Sequence, residues 1–213
     1  MIPFREYLDR FPLVAILRGL RPENAEAVGA GLVAAGFRVI EVPLNSPEPF
    51  RSIELMARRF GEDVLVGAGT VLHPDDVGRV RDAGGRLIVM PHSDTAVIGA
   101  AVGAGLACTP GVATPTEAFA ALKAGAAALK MFPAEMLPPA IVKAWRAVLP
   151  AGTLLLPVGG VNPDTMEAYV AAGADGFGLG SALYRPGATP SEVRDNARRF
   201  AIAWELIRAR KAA

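Results

Sequence analysis

The sequence predicts an α/β fold of the (β/α)8 TIM-barrel class with a short N-terminal helix, built as one domain over residues 1–213. Short β-type runs recur roughly every 20 to 26 residues, with Ala-rich helical stretches between them. The runs are continuously apolar, as strands buried on both faces of a parallel sheet must be. No Gly-rich dinucleotide loop follows the first run, where Leu17-Arg18-Gly19-Leu20-Arg21-Pro22 stands instead. That argues against a doubly wound sheet, the competing architecture.

The elements follow in order. Phe4–Arg10 is a short helix placed to close the barrel bottom. Strands are expected at Leu13–Leu17, Val39–Leu44, Val64–Gly67 and Leu87–Met90, then at Ala107–Pro110, Ala128–Phe132, Leu154–Val158 and Gly176–Leu179. The intervening helices are Pro22–Ala35, Pro49–Arg59, Pro74–Ala83, Thr95–Ala104, Pro115–Ala124, Pro138–Val148 and Pro163–Ala172. Most begin with proline, whose fixed φ suits a first turn, and several end in Ala-Gly, where glycine accepts the left-handed cap. Ser191–Arg210 completes the outer ring. Eight units in 213 residues leave room for short loops only.

Composition excludes several functions. Twenty-two basic against twenty-one acidic residues give a net charge of +1, with no concentrated basic face for nucleic acid or a membrane surface. No run reaches the ~20 apolar residues of a membrane span. The segment Met1-Ile2-Pro3-Phe4-Arg5-Glu6 lacks the form of a signal peptide, so a soluble, cytoplasmic protein is expected. The single cysteine, Cys108, reads as a small buried hydrophobe and permits neither an internal disulfide nor a Cys-based zinc site. His73 and His92, the only histidines, are too few for a metal site and read as loop residues, with His92 at the rim. No metal and no cofactor is expected.

In a barrel the chemistry sits at the C-terminal strand ends. Those positions are Arg18, Glu41, Thr70, Pro91, Pro110, Lys130 with Phe132, Gly159-Gly160 and Gly180-Ser181. Four lysines stand against eighteen arginines, and Lys130 alone lies in an apolar strand, Ala126-Ala127-Ala128-Leu129-Lys130-Met131-Phe132-Pro133. Burial there lowers the amine pKa, and a neutral amine is what attack on a ketone requires. The alternative is a lysine snorkelling to the mouth or paired with a carboxylate. Glu41, flanked by apolar residues, is either a proton shuttle beside that lysine or its ion-pair partner. Two glycine-rich ends, Gly159-Gly160 and Gly178-Leu179-Gly180-Ser181, supply bare backbone N–H groups for a phosphate. Arg18 offers a planar fork for a carboxylate or phosphate, unless it is a solvated loop cation, and Thr70 offers a hydroxyl. Glu135, just after Phe132-Pro133, reads as lining or capping the loop and not as a group that takes part in the chemistry.

Together, Glu41-Val42-Pro43-Leu44, Gly67-Ala68-Gly69-Thr70-Val71, Pro110-Gly111, Leu129-Lys130-Met131-Phe132-Pro133, Val158-Gly159-Gly160-Val161 and Gly178-Leu179-Gly180-Ser181 resemble the KDPG/KHG aldolase family, in family order from about Leu13 to Tyr184. The resemblance implies a metal-independent Schiff-base aldolase, a homotrimer, that cleaves a phosphorylated 2-keto-3-deoxy acid to pyruvate and glyceraldehyde 3-phosphate. It implies the imine on Lys130, acid/base work at Glu41, and Phe132 packed on the imine. Arg18 and Thr70 would take the pyruvoyl carboxylate, and Gly159, Gly160, Gly180 and Ser181 the phosphate. Pro43-Leu44-Asn45-Ser46-Pro47 and Val158 replace the Thr-Leu-Arg-Thr and strand-seven Thr of gluconate-type members. Both departures resemble the 6-phosphogalactonate branch; losing the Thr donor at Val158 leaves room for cross-activity on the gluconate epimer. Other phosphate-binding barrels, or a non-catalytic sugar-phosphate binder, would need no lysine in that run.

Overall fold

The computed structural model describes residues 3–212; Met1 and Ile2, part of the N-terminal segment considered above, lie outside them. After helix α1 (Phe4–Arg10), strands and helices alternate: β1 (Leu13–Ile16), α2 (Pro22–Ala34), β2 (Val39–Pro43), α3 (Pro49–Phe60), β3 (Leu65–Gly69), α4 (Asp75–Asp82), β4 (Leu87–Val89), α5 (Thr95–Gly103) and β5 (Ala107–Thr109). There follow β6 (Gly111–Val112), α6 (Pro115–Lys123), β7 (Leu129–Met131), α7 (Pro139–Arg146), β8 (Leu155–Pro157), α8 (Met166–Ala171), β9 (Phe177–Leu179) and α9 (Pro190–Ala212).

Every strand pairing is parallel. The strands form a six-stranded sheet, β5-β4-β3-β2-β1-β9, and a three-stranded sheet, β6-β7-β8. This corrects the expectation of eight strands in one continuous barrel sheet. The predicted fifth strand, Ala107–Pro110, divides at Pro110, which has no N–H to donate to a ladder. Hydrogen bonds still cross the division, from Ala127 N to Cys108 O (2.8 Å) and from Lys130 N to Pro110 O (2.9 Å). On the other side a single parallel bridge links Val158 to Gly178.

Alternation along the strands sorts the core. Val14, Val39, Leu65, Leu87, Val89, Ala128, Leu154 and Leu156 face one cluster, to which α1 adds Phe4, Tyr7 and Leu8 as a floor. Their chain neighbours, such as Ala15, Ile40, Val66 and Ile88, join the larger cluster beneath the helices. The short helix therefore plugs one end of the strand assembly, and the site must open at the other.

The expected helices are present within a residue or two, with one instructive exception. Helix α8 starts at Met166, not Pro163. Asn162 Oδ1 accepts from Asp164 N (3.0 Å) and Thr165 N (3.1 Å), an Asx turn that caps the chain just ahead of the regular helix. A buried-edge clasp holds this region. Arg146 donates to Gly173 O (2.8 Å) and Thr153 O (2.6 Å) and pairs with Asp175, whose Oδ2 accepts from Leu155 N (2.7 Å). No helix among the described residues is long and apolar enough to cross a membrane.

Candidate active site

Lys130 occupies the middle of β7, where pairing with Gly111 on one side and Leu156 on the other fixes its backbone. It is 6% exposed, and Glu41 on β2 is 2% exposed. The two line one narrow void of about 20 Å³, otherwise walled mainly by Val14, Ile16, Leu87, Val89 and Leu156. Lys130 also lines an open cleft of about 510 Å³ shared with Arg18, Phe132, Gly159, Gly160, Gly180 and Ser181. The amine thus stands between a hydrocarbon interior and a solvent-reached cleft.

Electrostatics follow from that position. Burial lowers the Lys130 pKa, opposed by the Glu41 charge and assisted by nearby Arg18. Burial raises Glu41 to about 7, with Lys130 and Arg18 pulling the other way. Desolvation is the largest influence on both groups, so each is driven towards its neutral form. Glu41 Oε2 has no hydrogen-bond partner. A carboxylate buried without a partner is expensive, and such a group is a candidate for acid/base work. Cys108, by contrast, is pushed up to about 12 by burial and contacts Met90 Sδ at 3.7 Å, an inert packing residue as read from sequence.

The other predicted residues gather in part. Arg18 Nη1 donates to Asn45 Oδ1 (2.6 Å) and Nη2 to Thr70 Oγ1 (3.3 Å), which brings Arg18 and Thr70 together at the mouth. Thr70 adopts the left-handed region at φ 54°, uncommon for a β-branched residue, and its strain marks a fixed position at the strand end. The Phe132 ring centre lies 4.5 Å from Lys130 Nζ. Gly159 (φ 112°) and Gly160 (φ 62°) hold positive φ, a turn closed to most side chains. Val158 lines both the void and the cleft. Pro91 follows β4 with its backbone beside Gly111, and it lines neither the void nor the cleft. His73 and His92 are both exposed.

Sequence reasoning missed several features. Asn45 orients Arg18. Arg185 lines the cleft, its Nε donating to Ser181 O at 3.1 Å. Glu135 packs its carboxyl against Gly159 and Gly160, at the glycine turn itself. Thr109 is a buried hydroxyl that lines the same void as Lys130 and Glu41. Thr109 carries a sequence signal, as a polar residue within an apolar strand, whereas Arg185 carries none. Among the described residues no three His, Cys, Asp or Glu side chains cluster closely enough to hold a metal ion.

Gly69 is a further positional requirement. A Cβ there would overlap the Glu41 carboxyl group, which would have to shift to make room. Gly69→Ala is expected to slow turnover about 10²-fold by displacing that group, with the circular dichroism spectrum unchanged. Wild-type kcat in this variant would show that the carboxyl position is immaterial.

Comparison with known proteins accords with this geometry. The family model described as "KDPG and KHG aldolase" matches residues 4–196. The chain is 49% identical over 196 residues to the "Probable 2-dehydro-3-deoxy-6-phosphogalactonate aldolase" of Rhizobium meliloti (strain 1021), with 92% of each chain covered. It is 43% identical over 199 residues to the "2-dehydro-3-deoxy-6-phosphogalactonate aldolase" of Escherichia coli (strain K12), covering 93% of this chain and 97% of that one. A solved structure described as "Native KDPGal structure" superposes with a TM-score of 0.92 at 43% identity, covering 94% of this chain and 97% of that one.

Proposed function

This chain belongs to the KDPG and KHG aldolase family, and from that premise we infer that it is a class I aldolase cleaving 2-dehydro-3-deoxy-6-phosphogalactonate to pyruvate and D-glyceraldehyde 3-phosphate. The observation that carries the inference is the buried Lys130–Glu41 pair at the base of an anion-ready cleft. On this reading the two sheets are arcs of one eight-stranded (β/α)8 barrel forming a single domain, and the active form is a homotrimer.

The chemistry follows from the side chains. The neutral Lys130 amine attacks the C2 carbonyl carbon, and the former carbonyl oxygen becomes the carbinolamine hydroxyl. Protonated by Glu41, that hydroxyl leaves as water and an iminium remains on Nζ. Glu41, ionised once more, takes the C4 hydroxyl proton. The C3–C4 bond electrons move into the iminium as C4 becomes the aldehyde of the departing triose phosphate. The enamine is then protonated at C3, and water hydrolyses the resulting imine to free pyruvate. A carboxyl pKa of about 7 suits a group that must give and take protons near neutrality. Arg18 and Thr70 take the substrate carboxylate; the bare N–H groups of Gly159, Gly160 and Gly180, with Ser181, take the phosphate.

Treatment of the protein with pyruvate and borohydride tests the reading. A reduced pyruvyl adduct is expected on the peptide containing Lys130, and no adduct there would refute imine chemistry. Epimer preference rests on Val158, which presents methyls where a hydroxyl would meet the substrate C4 region. Val158→Thr is expected to move the ratio of kcat/KM values by about tenfold towards the gluconate epimer, the worth of roughly one hydrogen bond. An unmoved ratio in side-by-side cleavage assays would remove Val158 from the specificity argument.

A further inference from the structure

The void beneath the amine contains a third polar side chain that this mechanism does not use. Of the side chains lining it, only Glu41, Lys130 and Thr109 carry a polar atom. Thr109 ends β5, is 3% exposed, and its Oγ1 has no hydrogen-bond partner. Its strand lies beside β7, since Ala127 N donates to Cys108 O and Lys130 N to Pro110 O, on either side of Thr109. A buried hydroxyl that no other group of the protein satisfies carries a desolvation penalty that the fold's own hydrogen bonds do not offset. Valine has the same shape and would fill the same space without that penalty. The hydroxyl therefore stands where folding does not need it, within a hydrocarbon chamber whose two other polar groups are the amine and the carboxyl.

We propose that Thr109 is a positioning residue whose hydroxyl oxygen accepts the Nζ–H of the Lys130 iminium, a partner that exists only once the keto substrate has condensed. The proposal rests on the imine reading above. An iminium retains one N–H and a positive charge, and in this chamber few groups can receive that N–H. Glu41 must exchange protons with the C2 and C4 oxygens, so an acceptor that does not titrate leaves it free to do so. Nothing in the step changes covalently at Thr109. Its oxygen accepts a hydrogen bond while the C2–N bond forms, and releases it when water returns to C2. A hydrogen bond to a cation in low dielectric is stronger than one to a neutral amine, so the contact favours the iminium over the free state.

The test compares Thr109→Val and Thr109→Ser in the whole protein. Thr109→Val is expected to melt at the wild-type temperature or a few degrees above it, while borohydride trapping with pyruvate and kcat both fall by roughly tenfold, the size of one charge-assisted hydrogen bond. Thr109→Ser is expected to recover both rates to within about threefold, because it restores the acceptor. Unchanged trapping and kcat in the valine variant would overturn the proposal. So would a valine variant that melts well below wild type, since the hydroxyl would then have a partner in the free protein. Failure of the serine variant to recover the rates would mean shape, not the oxygen, matters. A wild-type adduct at Lys130 keeps the imine reading intact in all three cases.

Discussion

Lys130→Met is expected to lower kcat by about 10⁴–10⁶-fold, the span seen when a covalent nucleophile is removed, and to abolish the borohydride-trapped pyruvyl adduct. Methionine matches the lysine stem in length and adds no polar atom, so the chamber floored by Phe4, Val14 and Leu156 should accept it. Taking a buried amine out of hydrocarbon removes a desolvation penalty, and the melting temperature should hold or rise. Activity loss without stability loss would mark the amine as functional and not structural. Residual turnover above about 1% would leave Lys130 outside the covalent step, because no other lysine lies in a comparable apolar strand. The wild-type amine should also be trapped at pH values well below the 10.5 of a free lysine, since burial lowers its pKa.

Glu41→Gln is expected to slow kcat by about 10²–10⁴-fold with substrate affinity little changed, because the amide keeps the size and loses the proton exchange. The limb of the kcat/KM profile that reflects a group near pH 7 should disappear with it. Stability moves in the opposite direction. The native carboxyl titrates at about 7 against 4.5 for the free group, so between these values the folded chain holds a proton the unfolded chain has released. The carboxyl's contribution is therefore fully present below pH 4.5 and is lost as pH rises through about 7. At pH 8 the loss is at most about 3 kcal/mol. Glutamine does not titrate, so the variant should melt above wild type at pH 8, and the gap should close as pH falls towards 4.5. A variant that melts below wild type at pH 8 would show that the carboxylate is held by a stabilising ion pair with Lys130, not kept for chemistry.

The linear chain determined a good deal by itself. Apolar runs such as Leu13–Leu17, buried on both faces, required parallel strands between helices. Prolines at helix starts and Ala-Gly at helix ends placed most boundaries, because those residues act through their own backbone. Lys130 was legible for the same local reason: an ammonium amid Ala128, Leu129 and Met131 has no local partner, so its oddity shows in the string. The motif order from Glu41 to Ser181 reached the family.

Tertiary structure decided what depends on groups distant in sequence. The interruption at Pro110 matters only because a neighbouring strand asks that position for a hydrogen bond. Arg18 is held by Asn45 and Thr70, 27 and 52 residues away, and Glu135 reaches Gly159 and Gly160 across the cleft. Whether Thr109 is a buried orphan or a satisfied hydroxyl is set by which side of its strand meets the amine. A two-residue periodicity says that sides alternate, while only the packed assembly says which side is inside and what waits there.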